Sequence, residues 1–351
     1  MQNPFTLNFG KEPLTIINRQ TAKNQIVEDF TAPIINNQVY IISGVRGSGK
    51  TVLLTEISKQ LAQQSKWLTV ELNSTRDLMT ALLSKLYDLP AIAPLLIEAN
   101  IDLSFFGIGV HLKTAAPIVD IETALSRVMD LLQHKGYRLL VTIDEVTNSQ
   151  SMREFTAAFQ ILVRQEAPIF LLMTGLYENI SDLQNEDSLT FLYRAPKVFL
   201  SGLNLTAIMG KYQSIFKLDE AQAMKMAKIT QGYPFAFQLL GYLKWQQPTI
   251  TDEELLTEFD IQIQEYVYQK LWHDLSPKDQ SVLIALAKLA NQQGQVKISS
   301  LRQELDMSSS LMSIYRDRLK KKGLVDASRY GYLSFTLPRF DHYIKLYYLS
   351  H

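Results

Sequence analysis

Gly44-Val45-Arg46-Gly47-Ser48-Gly49-Lys50-Thr51 satisfies the pattern G-x-x-x-x-G-K-[ST] at every specified position. Its glycines permit a tight turn in which backbone N–H groups face inward, an arrangement that cradles phosphate oxygens. Lys50 adds a point charge for the β- and γ-phosphates, and the Thr51 hydroxyl is of the type that ligates Mg²⁺. A helix opening at Thr51 contributes the positive end of its dipole. The pattern also recurs by chance, so its surroundings decide. Before it, Gln38–Ser43 is a short apolar, β-branched run; after it, Val52, Leu53, Ile57 and Leu61 recur at helical spacing up to Gln63. Strand, glycine-rich loop and helix in that order distinguish a phosphate-binding loop from an ordinary glycine turn.

A second stretch completes the chemistry. Leu139-Leu140-Val141-Thr142-Ile143-Asp144-Glu145 is an apolar strand ending in two acids. A strand buried on both faces delivers its terminal carboxylate to the loop beside it. Asp144 is expected to hold Mg²⁺ through its water shell and Glu145 to polarise the attacking water. Two acids at a strand end also arise from simple solvation. Together with the loop, and with an extra strand Trp67–Leu72 expected between the two, they indicate nucleotide hydrolysis. The chain has no Asn/Thr-Lys-x-Asp segment of the guanine-reading kind, so the nucleotide expected is ATP with Mg²⁺. Thr174 closes the strand Pro168–Thr174, where a polar side chain can sense the γ-phosphate or the water; the alternative is a turn threonine. Arg194 follows the apolar helix Leu189–Tyr193 and precedes a fifth strand, Lys197–Leu200. It is either a finger reaching a neighbouring subunit's γ-phosphate in an ATP-bound homo-oligomer or an ordinary salt-bridge arginine.

Strands alternating with helices, Asp77–Tyr87 and Ile121–His134 among them, imply a parallel sheet covered on both faces: an α/β fold of three layers. Ile101–Lys113 alternates weakly and is expected to form a small β-hairpin. From Thr206 to Trp245 the period is helical, interrupted at Gly232-Tyr233-Pro234. Thr251–Leu271 continues as helix, with Thr251 and Glu254 as a capping box. A further unit starts at Ser276-Pro277: helices Lys278–Ala290, Ile298–Leu305 and Ser309–Lys322, a stop at Gly323, then strand, turn and strand through Leu337. Three helices and a β-hairpin in this order describe a winged helix-turn-helix. The expected organisation is therefore an N-terminal segment 1–35, an ATPase core 36–202, a helical lid 203–275 and a winged helix 276–351.

The 351 residues carry balanced charge and are 46% hydrophobic, which excludes disorder and calls for several packed units. No stretch approaches twenty uninterrupted apolar residues, so no membrane span is expected. Met1–Gly10 lacks the order of a secretory signal, and a cytoplasmic location is the default. There is no cysteine, hence no disulfide or thiolate metal site, and the five histidines show no metal spacing. Neutrality hides an asymmetry: residues 276–351 hold 12 Lys/Arg against 6 Asp/Glu. The would-be recognition helix offers Ser308, Ser309, Ser310, Ser313 and Arg316, followed by Arg318, Lys320, Lys321 and Lys322, with Arg329 near the wing. Leu311, Ile314, Tyr315 and Leu319 are expected to form its core face. Double-stranded DNA bound through 308–329 and a packing module that binds none are equally open readings.

These pieces together resemble the AAA+-related ATPases of the STAND type, near archaeal and bacterial ATPases similar to origin-initiator proteins. The resemblance spans nearly the whole chain. Pro4-Phe5, Phe9-Gly10, Pro13 and Asn18-Arg19-Gln20 are similar to the family's opening segment, which lies against the adenine, and imply that role for Arg19. Gly44–Thr51 and Ile143-Asp144-Glu145 match the nucleotide motifs, Met173-Thr174-Gly175-Leu176 the sensor strand, and Phe191–Ala195 a segment before the lid. Gly232-Tyr233-Pro234 looks like the Gly-x-Pro lid motif and implies that Gly232 and Pro234 lie near the nucleotide. No arginine stands where many AAA+ proteins place a second sensor. The resemblance also implies strand order 5-1-4-3-2, and ATP binding with slow hydrolysis to ADP that switches lid and winged helix between two arrangements.

Overall fold

The computed structural model describes residues 2–8, 13–109, 111, 112, 115, 118–291 and 294–349. They form two compact units. One comprises Arg19–Ser43 and Lys50–Phe199; the other comprises the described residues up to Asn18, Gly44–Gly49, and those from Leu200 onward. No helix among the described residues is long and apolar enough to cross a membrane.

The first unit is a sheet between helices. Its strands are β1 (Val39–Ser43), β2 (Trp67–Asn73), β3 (Arg138–Asp144), β4 (Ile169–Gly175) and β5 (Lys197–Phe199). Its helices are α1 (Gln20–Thr31), α2 (Lys50–Ala62), α3 (Leu78–Tyr87), α4 (Ala93–Glu98), α5 (Ile121–His134), α6 (Gln150–Arg164) and α7 (Tyr177–Gln184). All strand pairs are parallel and the order is β2-β3-β4-β1-β5, the 5-1-4-3-2 arrangement implied by the resemblance. Alternation along the strands divides the core into two layers. Val39, Ile41, Leu139, Val141, Ile143, Leu171 and Met173 join Leu82, Val128 and Phe155 of the helices on one face. On the other, Tyr40 and Phe170 meet Phe30 of α1 with ring centroids 5.6 and 5.2 Å apart. Residues 20–31 carry no sequence start signal, since Arg19 makes no side-chain cap; α1 forms because Ile26, Val27 and Phe30 are buried.

The expected hairpin at Ile101–Lys113 is not formed over its described residues. Ser104–Phe106 make a single 3₁₀ turn instead. The Asp102 carboxylate accepts hydrogen bonds from the Ser104 N–H at 2.8 Å and the Leu112 N–H at 3.0 Å, and lies 2.7 Å from His111 Nδ1. One buried acid thus gathers both ends of the loop, replacing cross-strand pairing. Lys113, like Phe9 and Gly10 of the opening segment, lies outside the described residues.

The second unit contains α8 (Leu205–Phe216), α9 (Glu220–Thr230), α10 (Pro234–Gln246), α11 (Asp252–Ile263), α12 (Gln269–His273), α13 (Pro277–Leu289), α14 (Ile298–Glu304), α15 (Ser309–Lys321) and α16 (Phe340–Ile344). A π-helical turn, Gln264–Tyr268, joins α11 to α12. The capping box of Thr251 and Glu254 is present. Strands β6 (Gln295–Lys297), β7 (Val325–Asp326) and β8 (Tyr332–Phe335) form an antiparallel sheet in the order β6-β8-β7. The last two are the expected hairpin, and β6 adds a strand too short to be seen in the sequence.

One apolar core runs unbroken across residue 275. The Tyr268 ring lies 4.9 Å from Phe340, its hydroxyl donates to the Pro338 carbonyl, and Arg339 pairs with Asp260 of α11 through two short bonds. The opening segment belongs to this core. Phe5 is buried against Tyr212, Phe216 and Phe237, and Gln238 of α10 bonds the backbone of Thr6 and Thr15 at 3.1 and 2.8 Å.

Helix α15 is rotated from the expected setting. Met312 and Leu319 are buried, whereas Leu311 and Ile314 are 40% and 60% exposed. Apolar residues at 311, 312, 314, 315 and 319 offer two stripes offset by one position. The setting is fixed by Arg318, whose Nε and Nη2 donate to Oδ1 of buried Asp279 in α13 at 2.9 and 2.5 Å.

Candidate functional site

In the first unit, the ends of β3 and β4 and the start of α2 bring four predicted residues together. The Thr51 hydroxyl donates to Asp144 Oδ2 at 2.6 Å. The Thr174 hydroxyl, fully buried, donates to Asp144 Oδ1 through a short bond and accepts from the Glu145 N–H at 3.1 Å. That amide also lies 3.1 Å from Asp144 Oδ1. Glu145 is held at φ +51°, a left-handed conformation uncommon outside glycine, asparagine and aspartate. Its backbone is thus bent sharply at the strand end by the bonds its amide makes, and the residue itself is exposed. Lys50, the first residue of α2, is buried.

A hydroxyl and a carboxylate converging at this distance are hard oxygen donors, the set that suits Mg²⁺. Among the described residues no group of three or more His, Asp or Glu is arranged to hold a metal. An ion at Thr51 and Asp144 would accordingly complete its shell with water and phosphate oxygens rather than with further side chains. The donors present fit that description.

In the second unit, Gly44–Gly49 makes the turn that its sequence requires. Gly47 and Gly49 lie at φ +68° and +89°, the region glycine enters without steric cost. A Cβ on Gly44 would sit 2.6 Å from Ser48 Oγ. The Ser48 N–H closes the turn on the Val45 carbonyl at 3.2 Å.

Gly232-Tyr233-Pro234 lies against this loop. The Tyr233 hydroxyl donates to the Arg46 carbonyl at 2.5 Å, and the Phe235 N–H donates to the Gly47 carbonyl at 3.2 Å. Pro234 occupies the first turn of α10, where its missing N–H leaves nothing unsatisfied. Gly232 is held at φ +78°, with its carbonyl accepting from the Leu203 N–H at 2.7 Å. Burial pushes the Tyr233 phenol well above its usual range. A Cβ on Gly323, just past α15, would lie 3.0 Å from Val45 Cγ1.

Arg19 and Arg194 take no part in these bonds. Arg19 stands just before α1 without capping it through its side chain; it is half-buried, and burial lowers its guanidinium pKa. Arg194 is exposed at the end of a 3₁₀ helix, Asp187–Arg194. Sequence reasoning missed Tyr233 and Phe235 as partners of the loop; nothing local signals a contact across 187 residues.

The parallel order 5-1-4-3-2, with the glycine loop after β1 and the acid pair after β3, decides the architecture. The fold is that of the P-loop ATPases. Within this fold the chain is similar to the Walker-type ATPase PABY2304 of Pyrococcus abyssi, at 15% identity and a TM-score of 0.60, over 94% of this chain and 96% of that one. It is also similar to the ORC2 protein of Aeropyrum pernix, solved as ADPNP–ADP complexes, at 15% identity and a TM-score of 0.58, over 97% and 95%. The resemblance to origin-initiator proteins therefore holds at the level of the P-loop ATPase fold. Residues 265–344 match a family described as Domain of unknown function (DUF8462). No curated protein matches the chain.

The basic residues of the C-terminal elements are largely engaged. Arg318 pairs with Asp279, which also lies 3.7 Å from Lys322 Nζ. Arg316 pairs with the adjacent Asp317 at 2.9 Å. Arg329 bonds Gln295 and covers the Tyr332 ring at 4.2 Å. Ser308, Ser309, Ser310, Lys320 and Lys321 are exposed.

Proposed function

We propose that this protein is an ATP-binding, slowly ATP-hydrolysing switch in which the glycine loop passes nucleotide state to the lid motif and to the C-terminal winged helix. The observation carrying this reading is that one short loop touches both: Arg46 and Gly47 bond Tyr233 and Phe235, and Val45 packs on Gly323. A loop so tied cannot change the direction of its peptides without changing those contacts.

Backbone N–H groups of Gly44–Thr51 bind the phosphates and Lys50 neutralises the terminal ones. Thr51 and Asp144 are the residues that would hold Mg²⁺, which when bound offsets phosphate charge and orients the terminal group. Glu145 accepts the proton of the water whose oxygen attacks the γ-phosphorus while the bond to the β-phosphate oxygen breaks. Thr174 positions Asp144 and the Glu145 backbone. Arg194, exposed, is available to a neighbouring subunit in an ATP-bound homo-oligomer, and Arg19 is assigned to the adenine side through the family resemblance. ATP and ADP bind the two loop arrangements with different affinity, and that difference is what makes the cycle a switch. ATP as the nucleotide suits a cytoplasmic protein.

The winged helix acts in this reading as a regulatory, protein-binding module. Arg318 is committed to Asp279, and the exposed face of α15 carries Leu311 and Ile314, with exposed lysines only in its last turn at Lys320 and Lys321. Two measurements test the proposal. Lys50→Ala should abolish thermal stabilisation by Mg²⁺–ATP; unchanged stabilisation would sink the site assignment. Duplex binding by Glu145→Gln protein, at two salt concentrations with and without ATP, should be absent. Salt-sensitive binding would instead make the winged helix a DNA reader.

A further inference from the structure

We infer that the Tyr233 hydroxyl sets the anion-binding orientation of the glycine loop, making Tyr233 the positioning residue through which the lid governs how firmly nucleotide is held. This rests on the nucleotide reading of Gly44–Thr51. In a trans peptide the C=O and the following N–H point in opposite directions. No peptide among the described residues is cis. Donation from Tyr233 to the Arg46 carbonyl therefore fixes the Gly47 N–H on the side away from Tyr233. The Phe235 N–H does the same for the next peptide by holding the Gly47 carbonyl. Two successive peptides of the loop thus have their carbonyls drawn to residues 233–235.

The loop is also shaped for this contact. A Cβ on Gly47 would stand 2.5 Å from Tyr233 Oη and 2.9 Å from Phe235 Cβ, so only glycine permits the approach. Tyr233 is 4% exposed and Gly232 adopts φ +78°, so the ring is anchored from behind by a turn that itself requires glycine. Without the Tyr233 hydroxyl the Arg46 carbonyl loses its partner, the 46–47 peptide is free to rotate, and the Gly47 N–H spends less time facing a phosphate.

The test is Tyr233→Phe, which removes one oxygen and keeps the ring. The readouts are dissociation of fluorescent mant-ADP with Mg²⁺, and amide hydrogen exchange of the peptide spanning 44–50. Loss of this part-buried hydrogen bond predicts about tenfold faster dissociation, with faster exchange confined to that peptide. Tyr233 acting only as packing would lower the melting temperature while leaving dissociation and local exchange unchanged, and that result overturns the inference. If unaltered protein is folded but binds no mant-ADP, the nucleotide reading fails by itself. Exchange at 44–50 then decides the latch: faster in the variant sustains it, unchanged refutes it.

Discussion

Arg318→Ala tests whether the basic residues of α15 serve the fold or a ligand. Asp279 is 1% exposed in the first turn of α13, and its carboxylate receives Arg318 Nε at 2.9 Å, Nη2 at 2.5 Å and the Ser276 hydroxyl at 2.9 Å. Breaking a buried ion pair from one side costs about 3–5 kcal/mol, mostly because a charge is left without its partner. Two features reduce that here. The Arg318 side chain is 37% exposed, and Lys322 Nζ remains 3.7 Å from the other carboxylate oxygen. Discounting for solvent screening leaves about 2 kcal/mol. For a unit of this size that lowers the melting midpoint by about 4–8 °C. Trp245 and Trp272 lie in the unit containing α15 while Trp67 lies in the other, so fluorescence melts in a Trp67→Phe background isolate the relevant transition. A double-mutant cycle with Asp279→Ala should return a coupling of about 1–2 kcal/mol. A shift below about 1 °C would refute the structural role, and loss of duplex affinity in a variant of normal stability would assign Arg318 to DNA instead.

Glu145→Gln should keep stabilisation by ATP while reducing turnover by about 100-fold or more, as expected for removing a general base; normal phosphate release would move the base elsewhere. Gly232→Ala should destabilise by at least about 1–2 kcal/mol, since a side chain is disfavoured in the left-handed region, and its Cβ would also meet the Leu203 carbonyl oxygen at 2.6 Å. A chemical denaturation curve matching wild type would contradict that geometry. Hydrogen bonds, that of Ser104 foremost, hold the Asp102 carboxyl well below the usual carboxylate range. A folded pKa below the unfolded one gives stability that is present above about pH 4 and lost as pH falls toward the lowered value. The melting gap between wild type and Asp102→Asn should therefore be full at neutral pH and close in acid; a gap independent of pH would show that the charge does not matter. Arg194→Ala should reduce turnover only at protein concentrations where subunits associate, and a concentration-independent loss would count against a finger acting between subunits.

Features specified by residues near one another were legible before any coordinates. The glycine loop is one, because its backbone conformation depends on glycines within eight positions. The buried strands are another: an apolar run such as Leu139–Ile143 has no other stable place than a covered sheet. The capping box at Thr251 and the stop at Gly323 are likewise local, each set by a side chain or a φ angle within one turn.

What the sequence left open is what distant residues decide. Helix α15 has two usable apolar stripes, and a carboxylate 39 residues away selects between them by binding Arg318. The loop after Ile101 is weakly alternating enough for a hairpin, but one buried acid bonds the backbone of Ser104 and Leu112 in its place. Helix α1 has no capping signal and forms because Phe30 finds Tyr40 and Phe170. The clearest case is Tyr233, an unremarked middle residue of a short motif until folding sets its hydroxyl on the Arg46 carbonyl. Periodicity and propensity report energies within a few turns of chain, whereas helix rotation and loop orientation follow from bonds between segments that meet only on folding.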